Sequence, residues 1–217
     1  MRPFRKKKPT NPEQGAQQPK QQLGSVKGNY AFIDSQNLNL GIQKMGWKMD
    51  WKKFREFLTA EYKVEKAFMF IGYMPDFEKL YDQLHSQGYL VVLKPTLEMF
   101  ATDESKEKQA KYEEAHKGED DKKHVPKGNV DTDLVLHVMK EYKNYDKAVI
   151  VSGDGDFYTL IEYLDQKQKL LKVLTPNWQY SSLLKPFEKY IVRLDQKRNE
   201  LKYYDKFRKK SSGKPKA

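Results

Sequence analysis

Five aspartates in this chain have the type and placement to hold a metal ion: Asp34, Asp131, Asp133, Asp154 and Asp156. Carboxylates gathered in one pocket repel each other, and one takes up a proton unless a cation compensates. An all-oxygen donor set suits Mg²⁺ or Mn²⁺. Metals held in this way bind a non-bridging phosphate oxygen and activate water, which is the chemistry of phosphodiester hydrolysis. Asn37, three residues beyond Asp34, could hydrogen-bond a phosphate, a water or a metal ligand, or simply cap the following turn. Cysteine is absent, which excludes a thiol nucleophile, a disulfide scaffold and every zinc site built on Cys. His85, His116, His124 and His137 share no metal-ligand spacing, and a structural role is expected for His137.

The elements around these residues decide whether they can meet. Tyr30–Ile33 is an apolar run ending at Asp34, and Ala148–Val151 is another, leading into Ser152-Gly153-Asp154. Further strands are expected at Ala67–Gly72, Tyr89–Leu93 and Leu170–Leu174, with a terminal edge strand at Tyr190–Leu194. Helices are expected at Trp51–Tyr62 after the N-cap Asp50, at Asp76–Gln87 after Pro75, from Asn129 to about Tyr142, at Asp156–Gln166, and over Trp178–Phe187. Residues 35–49 receive no element. Strands alternating with helices argue for a parallel sheet covered on both faces. Ligands of such sheets sit beyond the carboxyl ends of the strands, where Asp34, Asp154 and Asp156 all fall. A single Asp in that position is most often a loop or N-cap residue. The coincidence of several, on separate strands, is what points to a site. In the helix from 129, Leu134, Val135, Val138 and Tyr142 form the apolar stripe, and Asp131 lies on that inward stripe. Asp133 is off it by one position.

Charge divides the chain. Lys plus Arg total 41 against 30 acids, a net charge of +11. Residues 1–28 carry a net +6 and residues 197–217 a net +7, leaving 29–196 slightly acidic at −2. The expected organisation is a disordered basic N-terminal tail over 1–28, a domain over 29–196, and a basic C-terminal helix and tail over 197–217. Residues 103–124 hold eight acids and six Lys, and are expected to form an exposed excursion from the domain. Basic tails on an acidic body suit a nucleic-acid partner, with the tails on phosphates. There is no run of about 18 apolar residues to span a bilayer, and the N-terminus does not read as a secretory signal. A cytoplasmic protein is the expectation; a homodimer is left open.

Three segments together carry a resemblance. Asp34-Ser35-Gln36-Asn37-Leu38, Lys127-Gly128-Asn129-Val130-Asp131-Thr132-Asp133-Leu134 and Ser152-Gly153-Asp154-Gly155-Asp156-Phe157 resemble the signature blocks of the NYN domain. This is the LabA-like branch of the PIN-like nuclease superfamily. Any one block is a weak signal; their order, spacing and strand context make the match specific. The resemblance implies a PIN-like three-layer α/β/α sandwich with a central, mostly parallel sheet. It implies divalent-metal chemistry and RNA as substrate, cleaved as by an endoribonuclease. By position it makes Asp34, Asp131, Asp154 and Asp156 the catalytic acids and metal ligands, with Asp133 a further metal ligand. The excursion at 103–124 departs from the usual pattern by lengthening the connection before the second block.

Other classes fail on particular residues. A HAD-type phosphatase needs a second acid where Gln36 stands, and a MIDAS-like site needs Ser there. Asp154-Gly155-Asp156 lacks the later ligands of an EF-hand, and no Gly-rich turn follows the first strand. A non-catalytic RNA- or protein-binding module on the same fold remains the alternative. For substrate binding the candidates are Asn37, Ser152, Trp178 and Tyr180, the last two as platforms for base stacking after the fifth strand. Trp51 is expected in the core.

Overall fold

The computed structural model describes residues 27–74, 77–94 and 130–204 of the chain. Six strands form one parallel sheet in the order β3-β2-β1-β4-β5-β6. They are β1 (Asn29–Asp34), β2 (Val64–Gly72), β3 (Tyr89–Lys94), β4 (Ala148–Val151), β5 (Leu170–Thr175) and β6 (Ile191–Arg193). The helices are α1 (Ser35–Lys44), α2 (Trp51–Tyr62), α3 (Glu78–Ser86), α4 (Asp131–Lys140), α5 (Tyr158–Gln166) and α6 (Arg198–Leu201). Short 3₁₀ turns cover Gly155–Phe157, Ser182–Tyr190 and Leu194–Lys197. The parallel α/β sandwich expected from the sequence is the fold observed.

The central strands are apolar along their length because both faces are covered. On one face Ala31, Ile33, Met69, Val149 and Val151 pack against Leu38 and Ile42 of α1 and Phe54 and Leu58 of α2. On the other, Tyr30, Phe32, Phe68, Phe70 and Ile150 pack against Leu134 and Val138 of α4 and Ile161 and Leu164 of α5. Trp51 lies at the edge of the first cluster, as its helical stripe requires. Strand alternation assigns Asp34, two residues after Phe32, to the α4 face.

Several boundaries differ from the sequence reading. α1 follows β1 directly, where no element is expected. Asn37, Asn39 and Gly41 are poor helix formers and mask the pattern. The helix forms because Asp34 caps it, accepting a hydrogen bond from the Asn37 backbone N–H at 3.1 Å, and because Leu38 and Ile42 bury completely. The helix expected from Asp156 begins as the 3₁₀ turn and becomes α-helical only at Tyr158. The one expected over Trp178–Phe187 is a 3₁₀ segment beginning at Ser182, so Trp178 and Tyr180 lie on an irregular loop. Residues 198–204, placed in the basic C-terminal segment, pack on the body. Leu201 is buried, Lys202 bridges Met49, and Tyr203 N–H donates to the Lys48 carbonyl at 2.9 Å. Residues 1–26, the 103–124 excursion, Asn129 and residues 205–217 lie outside the described residues.

Candidate active site

The strand order reverses direction between β1 and β4, and the crevice of an open parallel sheet opens at such a reversal, beyond the carboxyl ends. Ile33 is in register with Val151, so Asp34 and Ser152 follow side by side across this seam. The Ser152 hydroxyl donates to Asp34 Oδ2 at 3.1 Å, while Asp34 Oδ1 accepts the α1 cap bond. Asp34 is only 4% exposed. The chain turns above the seam in a short relay. Gly153 N–H donates to Asn37 Oδ1 at 2.9 Å, Asp154 N–H donates to Ser152 Oγ at 3.1 Å, and Asp156 N–H donates to Asp154 Oδ1 at 3.1 Å. Asn37 and Ser152 therefore hold the two strand ends together. Asn37 commits its carbonyl to Gly153.

Burial pushes the Asp34 carboxyl up to about 6; hydrogen bonds from Asn37 and Ser152 oppose this, and the charges of Asp131 and Asp154 add to it. Asp131 is also raised, first by desolvation and then by Asp154 and Asp156, with Lys94 pulling the other way. Asp34, Asp131, Asp154 and Asp156, from β1, α4 and the loop after β4, thus share one electrostatic field. Among the described residues no group of three His, Cys, Asp or Glu is close enough together to hold a metal ion. The donor set nonetheless fits a hard divalent cation: every candidate is a carboxylate oxygen, and a cation would offset the burial and the neighbouring charges that raise Asp34 and Asp131.

Asp133 stands apart. Its carboxylate pairs with Lys94 Nζ at 3.1 Å, each side chain about one-third exposed. Lys94 is the last residue of β3, and the sequence reading passed over it, although the same strand-end rule that selects Asp34 would have found it. His137 is structural, as expected: Nδ1 lies 3.0 Å from the Asp133 backbone carbonyl, to which it donates, and the ring packs edge-on against Phe70.

Of the proposed stacking residues, Trp178 is 57% exposed and Tyr180 is half-buried. Their loop is held firmly. Asn177 Nδ2 donates to the Gly41 carbonyl at 2.8 Å, and Ser181 N–H donates to the Gly153 carbonyl at 2.9 Å. A methyl group at Gly41 would collide with the Pro176 ring, so only glycine lets α1 come this close to the loop. A cavity of about 170 Å³ lies between them, and Asn37, Gly153, Gln179 and Tyr180 are among its walls.

A parallel α/β sandwich with acids from separate elements around its switch point is a PIN-like, nuclease-type architecture. The NYN domain model matches residues 30–193, and the chain belongs to the NYN domain family. It is similar to the "Low amplitude and bright protein LabA" of Synechococcus elongatus, with 27% identity over 148 residues, covering 66% of this chain and 71% of that protein. Among solved structures it resembles VPA0982, a protein of unknown function from Vibrio parahaemolyticus. The TM-score is 0.58 at 21% identity, covering 82% of this chain and 98% of that one, which is a likeness of fold. Among the described residues no helix is long and apolar enough to cross a membrane.

Proposed function

We propose that this protein is a divalent-metal-dependent ribonuclease that hydrolyses RNA phosphodiester bonds, most simply as an endonuclease in the cytoplasm. The observation that supports this reading is the carboxylate of Asp34, buried at the end of β1 beside the β4 loop and raised first by that burial and then by the charges of Asp131 and Asp154. Burying Asp34 near these charges carries an energetic cost, which a bound cation would offset. Asp34, Asp131 and Asp154 would hold Mg²⁺ or Mn²⁺, with Asp156 beside them. The metal would supply Lewis acidity toward a phosphate oxygen and a water of lowered pKa. The chain's own groups do the positioning. Ser152 and the α1 cap fix the Asp34 carboxylate, and Asn37 fixes the β4 loop that carries Asp154. The basic tails would bind phosphates along the RNA, in a salt-dependent and sequence-independent manner.

The test is cleavage of defined single-stranded RNA and DNA oligomers with Mg²⁺, Mn²⁺ or a chelator, comparing the wild type with Asp34→Asn. Metal-dependent RNA cleavage lost in the variant supports the proposal; wild-type levels of cleavage in a pure Asp34→Asn sample sink it. A second reading, RNA binding without cleavage, draws on the spacing of the acids, of which no three among the described residues are gathered tightly enough for a metal. Saturable RNA binding with no cleavage under any metal would favour it.

A further inference from the structure

An acidic crevice repels phosphate, so an RNA strand placed there must be gripped by groups outside the acids. The cavity between α1 and the 176–180 loop shares its inner wall with the crevice, because Asn37 and Gly153 line the cavity and bond to each other beside Asp34. Its remaining walls differ in chemistry from the acid side. Tyr180 offers a ring, Gln179 an amide and Lys44 an exposed positive charge. Leu40, in the cavity wall, is 50% exposed, and Trp178, on the same loop as Tyr180 but outside the wall, is 57% exposed. The walls are built in advance: Asn177 is 5% exposed and bonds to the Gly41 carbonyl, and its Oδ1 accepts from the Gln179 N–H at 2.7 Å. A ring, apolar contacts, an amide and a cation, continuous with the acids, suit one nucleotide of a single strand. The ring and apolar groups take the base, the amide takes its edge, and the lysine takes the phosphate.

We propose that this cavity is a nucleotide subsite beside the acidic crevice. One base of single-stranded RNA would lie against Tyr180 and Leu40, a neighbouring base would stack on Trp178, and Lys44 would hold a phosphate. A duplex base is already stacked on its neighbours and cannot enter, so the subsite selects single strands. The inference rests on the RNA reading above but not on cleavage.

The experiment measures binding of a fluorescein-labelled 2′-O-methyl RNA hexamer to the full chain by anisotropy, in chelator and across a salt series. Trp178→Ala and Lys44→Gln change exposed side chains and leave the core intact. Trp178→Ala is expected to weaken binding about tenfold. Lys44→Gln is expected to lower the salt slope by about one. Wild-type binding by both variants, failure of the wild type to bind, or equal affinity for the duplex of the same sequence would each overturn the subsite. If the wild type binds and the variants weaken but no RNA is ever cut, the subsite stands and the nuclease reading falls. If RNA is cut but the variants bind normally, the reverse holds.

Discussion

The crevice has two flanks built on different terms. On the β1–β4 seam, Asp34 is buried, both its oxygens accept hydrogen bonds, and Asn37 ties the neighbouring loop in place. On the α4 flank, Asp131 and Asp133 ride on the first turn of a helix, are only partly buried, and answer to Lys94. The seam is a rigid fixture whose cost is electrostatic. The α4 flank is an adjustable partner whose charges are already partly balanced. The helix dipole favours both of its acids there by under about 1 kcal/mol each. A buried charge held by hydrogen bonds is costly to leave uncompensated, whereas a partly exposed ion pair contributes little. Substitutions on the two flanks should therefore differ in size, and in some cases in sign.

The largest effect is expected at Asp34. Asp34→Asn should reduce metal-dependent RNA cleavage at least about 100-fold. Single-turnover assays on a labelled oligomer would measure it, and a loss below tenfold would place the essential acid on the α4 flank instead.

The same substitution should stabilise the metal-free protein. The Asp34 carboxyl rises from 3.8 to about 6 on folding, so the native state holds a proton that the unfolded chain releases. Between about pH 4 and pH 6 the wild type should lose stability relative to Asp34→Asn. Below that window the group is neutral in both states and costs nothing. Above it the full penalty applies, about 3 kcal/mol for a shift of roughly two units. Thermal melts of both proteins across this window, in chelator, would show the gap opening; parallel curves would mean that Asp34 is not strained. Mn²⁺ or Mg²⁺ should raise the wild-type melting temperature and leave Asp34→Asn nearly unmoved, since the proposed metal would bind the native state through Asp34.

Asn37→Ala should come next. It strands the Gly153 N–H, which is buried beside the seam, and should cost about 1–3 kcal/mol in urea unfolding. Cleavage should fall with it, because the loop carrying Asp154 loses its tether. Normal stability in this variant would show that the seam is held by packing alone.

The smallest effect is expected at Asp133. Asp133→Asn breaks a pair with Lys94 in which both side chains are about one-third exposed, so stability should change by less than about 1 kcal/mol. Cleavage should fall less than tenfold. A loss as large as that for Asp34 would make Asp133 a metal ligand, and the two flanks would then be equivalent.

The local sequence determined a good deal. The apolar runs at Tyr30–Ile33, Ala67–Gly72 and Ala148–Val151 mark strands because central parallel strands are buried on both faces. Asp34, Asp154 and Asp156 follow two of those runs, so they must lie at the carboxyl edge of any parallel sheet. Helical spacing assigned Asp131 to the inward stripe of α4 and Asp133 to its margin. The tertiary structure alone decided who meets whom. Ser152 reaches Asp34, 118 residues away, only because β4 lies beside β1. Asp133 finds Lys94 only because β3 ends near the start of α4. α1 escaped notice because its Asn and Gly residues disfavour a helix in isolation, while capping by Asp34 and burial of Leu38 and Ile42 secure it in the fold. Periodicity reports which side of a segment is apolar. It carries no information about the segment that will cover that side, and the cavity between α1 and the 176–180 loop exists only where two such segments meet.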